Sequence, residues 1–125
     1  MKISILLPFK ENFSPSYAGA VSLNINDILK FSKFRKNITV YGYTEFKKRF
    51  KNKYINIETK KRLFKSQNKD YVNKFIELEK KKKSNIIELH NRPIYLKYLV
   101  RFVNHYFREN NDNQMNSLNQ IIHNS

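Results

Sequence analysis

The sequence predicts an α/β domain of three layers around a mostly parallel sheet. Short runs rich in β-formers recur at residues 2–8, 37–43 and 85–89, and amphipathic helical patterns fill intervals between them. The first run, ISILL, is apolar on both faces, as a strand covered by helices on each side must be. Strands alternating with helices argue for right-handed crossovers, because each buried strand is covered by the helix that follows it.

Strand one is read at residues 2–8 (KISILLP). A loop carrying Ser14 and Pro15 follows, and then Ala18, Val21, Ile25, Ile28 and Leu29 fall on one helical face, which predicts a helix over about residues 17–34. NITVYGY at 37–43 is the second strand. TEFKKRFKNK at 44–53 has Phe46 and Phe50 four apart, compatible with a short helix or an aromatic-studded loop. YINIE at 54–58 is a short third strand, and Phe64, Tyr71, Phe75 and Leu78 predict a long helix over about 60–83, with Lys80 to Lys83 in its last turn, where cations complement the helix dipole. NIIEL at 85–89 is the next strand. Pro93 suits the first position of a further helix, whose apolar stripe is Tyr95, Tyr98, Leu99, Phe102 and Tyr106. Two regions result: a domain over 1–108 and an Asn/Gln/Ser-rich tail over 109–125, read as loosely ordered or cut from a larger context.

Composition narrows the function classes. The net charge of +15 invites a polyanion, either nucleic acid or an anionic membrane. However, 19 Lys, 17 Asn and 13 Ile are residues with A/T-rich codons, and Arg, the preferred fork for guanine and phosphate, occurs only 6 times, so much of the charge is consistent with genomic bias. Most of the 8 Tyr and 10 Phe fall on apolar faces of the expected helices, which makes nucleic acid the less favoured partner. There is no cysteine, hence no disulfide and no thiolate metal site. No apolar stretch approaches the roughly 20 residues that span a bilayer. A cytoplasmic location is the expectation.

The sharpest local feature is Ile86-Ile87-Glu88-Leu89-His90-Asn91-Arg92-Pro93, an apolar strand that stops at a His-Asn-Arg cluster. In an open α/β sheet the carboxyl ends of strands face the ligand crevice, so polar side chains there read as site residues. An imidazole at His90 can hydrogen-bond a hydroxyl, Arg92 offers a planar fork for phosphate or carboxylate, and Asn91 can hold the loop or a hydroxyl.

Three stretches, MKISILLPFKENFSPSYAGAVS, NITVYGY and NIIELHNRPIYLKYL, resemble in order and spacing the N-terminal domain of family 4 retaining glycosyltransferases, over roughly residues 1–103. The resemblance implies a Rossmann-like fold, incomplete, from a two-domain GT-B enzyme. It further implies a nucleotide-sugar donor, a glycan or lipid-linked acceptor of the cell envelope or of a polysaccharide, and a missing C-terminal domain or partner chain that carries most of the donor site. By the same resemblance His90 contacts the transferred sugar, and Ala18-Gly19-Ala20 matches a small-residue turn where backbone amides approach the donor diphosphate. Alanine before Gly19 removes one freely positive φ, so this half of the motif is weakened. Glu11, in the first loop, is a candidate for acceptor binding. Such enzymes often sit on membranes, and residues 46–51 (FKKRFK) are a segment that could touch anionic lipid.

Asp occurs only at Asp27, Asp70 and Asp112, so no Asp-x-Asp pair is present to hold a divalent metal on a diphosphate, and the expected transfer is metal-independent, without a cofactor. A GT-B N-terminal domain needs more strands than the three or four read here, which predicts marginal stability for the chain alone. The competing readings are a small basic nucleic-acid-binding protein and a non-functional gene fragment.

Overall fold

A computed structural model describes residues 1–59 and 66–90 with their side chains, and the backbone of 122–124. The order is β1 (Ile3–Leu6), α1 (Ala20–Phe31), a 3-10 turn (Arg35–Asn37), β2 (Ile38–Gly42), β3 (Tyr54–Asn56), α2 (Gln67–Lys82), β4 (Ile86–Leu89) and β5 (Ile122–Asn124). All strand pairs are parallel, in the spatial order β3-β2-β1-β4-β5. This is a Rossmann-like α/β fold. The chain winds outward from β1 through β2 to β3 and then returns to the other side of β1, so the winding reverses between β1 and β4.

Side-chain alternation along the strands builds both cores. Ile3, Ile5 and Leu7, with Ile38 and Val40, pack against Ile25 and Leu29 of α1. On the opposite face Leu6, Tyr41, Ile87 and Leu89 meet Tyr71, Val72, Phe75 and Ile76 of α2. Strands buried on both sides in this way explain the unbroken apolar run at the start of the chain.

Several boundaries differ from the sequence reading. Helix α1 begins at Ala20 rather than near residue 17, because Tyr17 takes a left-handed φ of 52° and Gly19 is extended (φ −74°, ψ 169°). Residues 43–53 form no helix. Phe50 turns inward to stand edge-on to Phe13, 5.1 Å between ring centres, while Phe46 joins a different contact. Helix α2 begins at Gln67, where the Ser66 hydroxyl accepts from the Lys69 amide and Asp70 in the first turn pairs with Lys74 at 3.3 Å. Among the described residues there are five strands instead of three or four, because Ile122–Asn124, in the expected polar tail, pairs with β4. The expected helix after Pro93, with its stripe at Tyr95, Tyr98, Leu99, Phe102 and Tyr106, lies outside the described residues, as does Phe64. No helix among the described residues is long and apolar enough to cross a membrane.

Candidate functional site

The carboxyl ends of β1 and β4 adjoin at the reversal of winding. Leu6 is in register with Leu89, so Leu7 and His90 are the next residues out of the sheet on neighbouring strands. The loop after β1 is firmly held. Tyr71 of α2 donates its hydroxyl to the Leu7 carbonyl at 2.6 Å, and Glu11 closes a turn by donating its amide to the Pro8 carbonyl at 3.0 Å.

That loop is knitted to the one after β2. Thr44 is the centre of the knot: its hydroxyl accepts from the Phe13 amide at 3.0 Å and lies 2.7 Å from the Tyr54 hydroxyl, while its own amide donates to Asn56 Oδ1 at 2.7 Å. Burial raises the Tyr54 phenol above its ordinary range, opposed by the Thr44 hydroxyl and the nearby Arg49 guanidinium, so the tyrosine stays a neutral donor to Asn56 Oδ1 at 2.9 Å. Phe50 donates its amide to the Phe13 carbonyl at 3.3 Å. The two loops form one crest above the sheet.

Glu11 and Gly19 come together. The Glu11 carboxylate accepts from the Ser22 amide in the first turn of α1, at 3.1 Å, and a methyl group on Gly19 would collide with that carboxylate. Glu11 therefore supplies from a distance the cap that Gly19, which has no side chain, cannot. Its negative charge sits at the positive end of the helix dipole, where an anionic ligand group was expected to approach. The close approach that Gly19 allows is made by Glu11.

His90 is 7% exposed, and its Nε2 lies 2.7 Å from Glu88 Oε1. Residues two apart on a strand share a face, so the end of β4 presents a carboxylate and an imidazole together. Glu88 also lines an apolar groove of about 310 Å³ beneath the end of α1, whose floor is formed by Ile3, Ile38 and Ile86, the first residues of β1, β2 and β4, so the groove opens toward the amino end of the sheet. In the sequence Glu88 is masked by the apolar residues Ile86, Ile87 and Leu89 around it. The period of two linking Glu88 to His90 was the available signal. Asn91 and Arg92 lie outside the described residues.

Chemically, the arrangement sets a buried imidazole in close approach to a half-buried carboxylate at the end of β4. No three His, Asp or Glu side chains converge on a possible metal position among the described residues. Comparison with protein-family models, with curated proteins and with solved structures finds no match.

Proposed function

We propose that this chain is the N-terminal, acceptor-side part of a sugar-nucleotide-dependent glycosyltransferase, serving a cell-envelope or polysaccharide acceptor and incomplete by itself. The observation that supports this reading is the strand order β3-β2-β1-β4-β5, with His90 at the carboxyl end of β4 beside the β1 loop and Glu88 against its imidazole. Open α/β sheets bind ligands at such a reversal. In the transfer, the bond from the anomeric carbon to the diphosphate breaks, a bond to an acceptor hydroxyl oxygen forms, and the hydroxyl proton leaves with the diphosphate. His90 positions a sugar hydroxyl, and Glu88 keeps the ring in place. No metal step is invoked, and the donor's nucleotide is held chiefly by a further domain or partner chain. The setting is the cytoplasm, peripheral to the inner face of the membrane.

The burial of several large aromatic rings in the core also favours this reading over nucleic-acid binding, although Tyr17, Phe31 and Phe34 are exposed. Tyr41, Tyr71, Phe13 and Phe75 are fully buried. A panel of nucleotide sugars and of the free sugars they carry, tested for protection against thermal unfolding at low and high salt, reads the part of the site that this chain contributes. The expected result is salt-insensitive protection by one sugar class, weakened about tenfold in apparent affinity by His90→Ala, a loss of ~1.4 kcal/mol. Protection by no sugar in either form, or equal protection of His90→Ala, overturns the proposal.

A further inference from the structure

We propose that the crest formed by Tyr17, Phe46, Lys47 and Lys48 is a docking surface for an anionic lipid bilayer. This deepens only the membrane part of the reading above, and its test involves no sugar transfer. Tyr17 is 84% exposed, and its ring stacks on Phe46 with 5.5 Å between centres and 21° between planes. A non-glycine residue at φ 52° carries backbone strain of order 1 kcal/mol, which here holds a large aromatic side chain out in water.

The platform is preformed. The Arg49 guanidinium clasps the carbonyls of Phe46 and Thr44, at 2.7 and 3.2 Å, and lies over the Tyr54 ring. Asn12 in the β1 loop accepts from the Glu45 amide at 3.3 Å. Binding through this surface therefore needs little further ordering of the loops. Within the basic segment that follows β2, Arg49 and Phe50 are engaged internally and Phe46 is half-buried under Tyr17, so the exposed elements beside this ring pair are Lys47 and Lys48, with Glu45, Lys51 and Lys53 exposed at the ends of the segment. Lys10, exposed and itself at φ 66°, adds a cation from the β1 loop. Between Thr44 and Lys53 five basic residues stand against one acid, Glu45.

The chemistry favours a bilayer over a nucleic acid. A base-stacking surface presents separate ring faces along a groove, whereas here one exposed ring, Tyr17, lies against the half-buried Phe46 and has that face covered. Tyrosine, with an apolar ring and a polar tip, is suited to the headgroup level of a membrane, and flanking lysines are attracted by anionic lipid.

The chain has no tryptophan, so Tyr17→Trp supplies a fluorophore at one known place. The full chain carrying it is titrated with vesicles of phosphatidylcholine alone, with vesicles also containing phosphatidylglycerol, and with duplex DNA. The expected result is a blue shift of the emission with the anionic vesicles alone. In flotation assays, Lys47→Ala with Lys48→Ala lowers partitioning about 30-fold, from about two lysine contacts. Tyr17→Ser with Phe46→Ser lowers it at unchanged charge. Lys80→Ala with Lys81→Ala, at the other end of the sheet, changes it less than about twofold. An emission that stays unshifted with anionic vesicles, an equal shift with DNA, or an equal loss from the Lys80 and Lys81 pair overturns the proposal.

Discussion

The two ends of the sheet use the same kinds of residue in opposite ways. At the amino end the Glu79 carboxylate, 2% exposed, is closed off: it accepts from the Ser4 hydroxyl, from the Ser84 hydroxyl at 3.1 Å and from the Ser84 amide at 3.3 Å. At the carboxyl end the Glu88 side chain is one-third exposed and meets a histidine. One carboxylate fastens α2 to β1, and the other borders the apolar groove under α1. Burial and partner count, rather than residue type, separate scaffold from candidate site.

The largest effect belongs to the closed end. Removing the Glu79 carboxylate leaves the buried Ser4 and Ser84 hydroxyls, 2.7 Å apart, to pair with each other, and strips the Ser84 amide of its acceptor, so Glu79→Ala should cost about 3 kcal/mol in urea unfolding. A loss under about 1 kcal/mol would show that α2 is fastened by its apolar face alone. Tyr41 gives the same end a pH signature. Burial, then the Glu79 charge, pushes its phenol up to about 12, opposed by its hydrogen bond with the Ser4 hydroxyl. Because the folded value lies above the unfolded value near 10, the contribution is fully present below about pH 10 and is lost as pH rises toward about 12. The stability difference between wild type and Tyr41→Phe should therefore shift by about 2 kcal/mol across that window. A constant difference would mean that the phenol titrates alike in both states. The comparison with Phe matters because Lys82, pulled down by burial, regains stability as pH rises and partly hides the effect in wild type alone.

The same contrast explains what could be read from the sequence. β1 and β2 were legible because a strand buried on both faces has to be an apolar run, and β4 because Ile87 and Leu89 on its buried face stand beside Ile86. The segment 44–53 was ambiguous because Phe46 and Phe50, at helical spacing, serve different surfaces: one meets Tyr17 and the other meets Phe13. β5 escaped notice because three residues in a polar stretch carry no period, and its pairing with β4 is a long-range event. Gly19 and His90 were visible as residue types at sheet ends. Their partners were not, since Glu11 and Ser22 meet only when the β1 loop folds back onto α1. The exposure of Tyr17 depends on a backbone φ that no composition rule reveals.

The smallest effect tests the carboxyl end, where Gly19 has an unusual reason to be glycine. Its φ of −74° suits alanine, so backbone freedom does not require glycine there. Space does, because a methyl group meets the Glu11 carboxylate. Gly19→Ala should cost about 1.5 kcal/mol by displacing Glu11 from the Ser22 amide, and Glu11→Ala about 1 kcal/mol by removing the cap outright. With the carboxylate gone the methyl group has room, so the double variant should be no less stable than Glu11→Ala. The coupling in this double-mutant cycle is then about 1.5 kcal/mol. Additive losses would mean that Gly19 makes room for something other than Glu11. The cycle thus separates a glycine retained for an internal carboxylate from one retained for the backbone itself, a distinction that a sequence pattern of small residues cannot make.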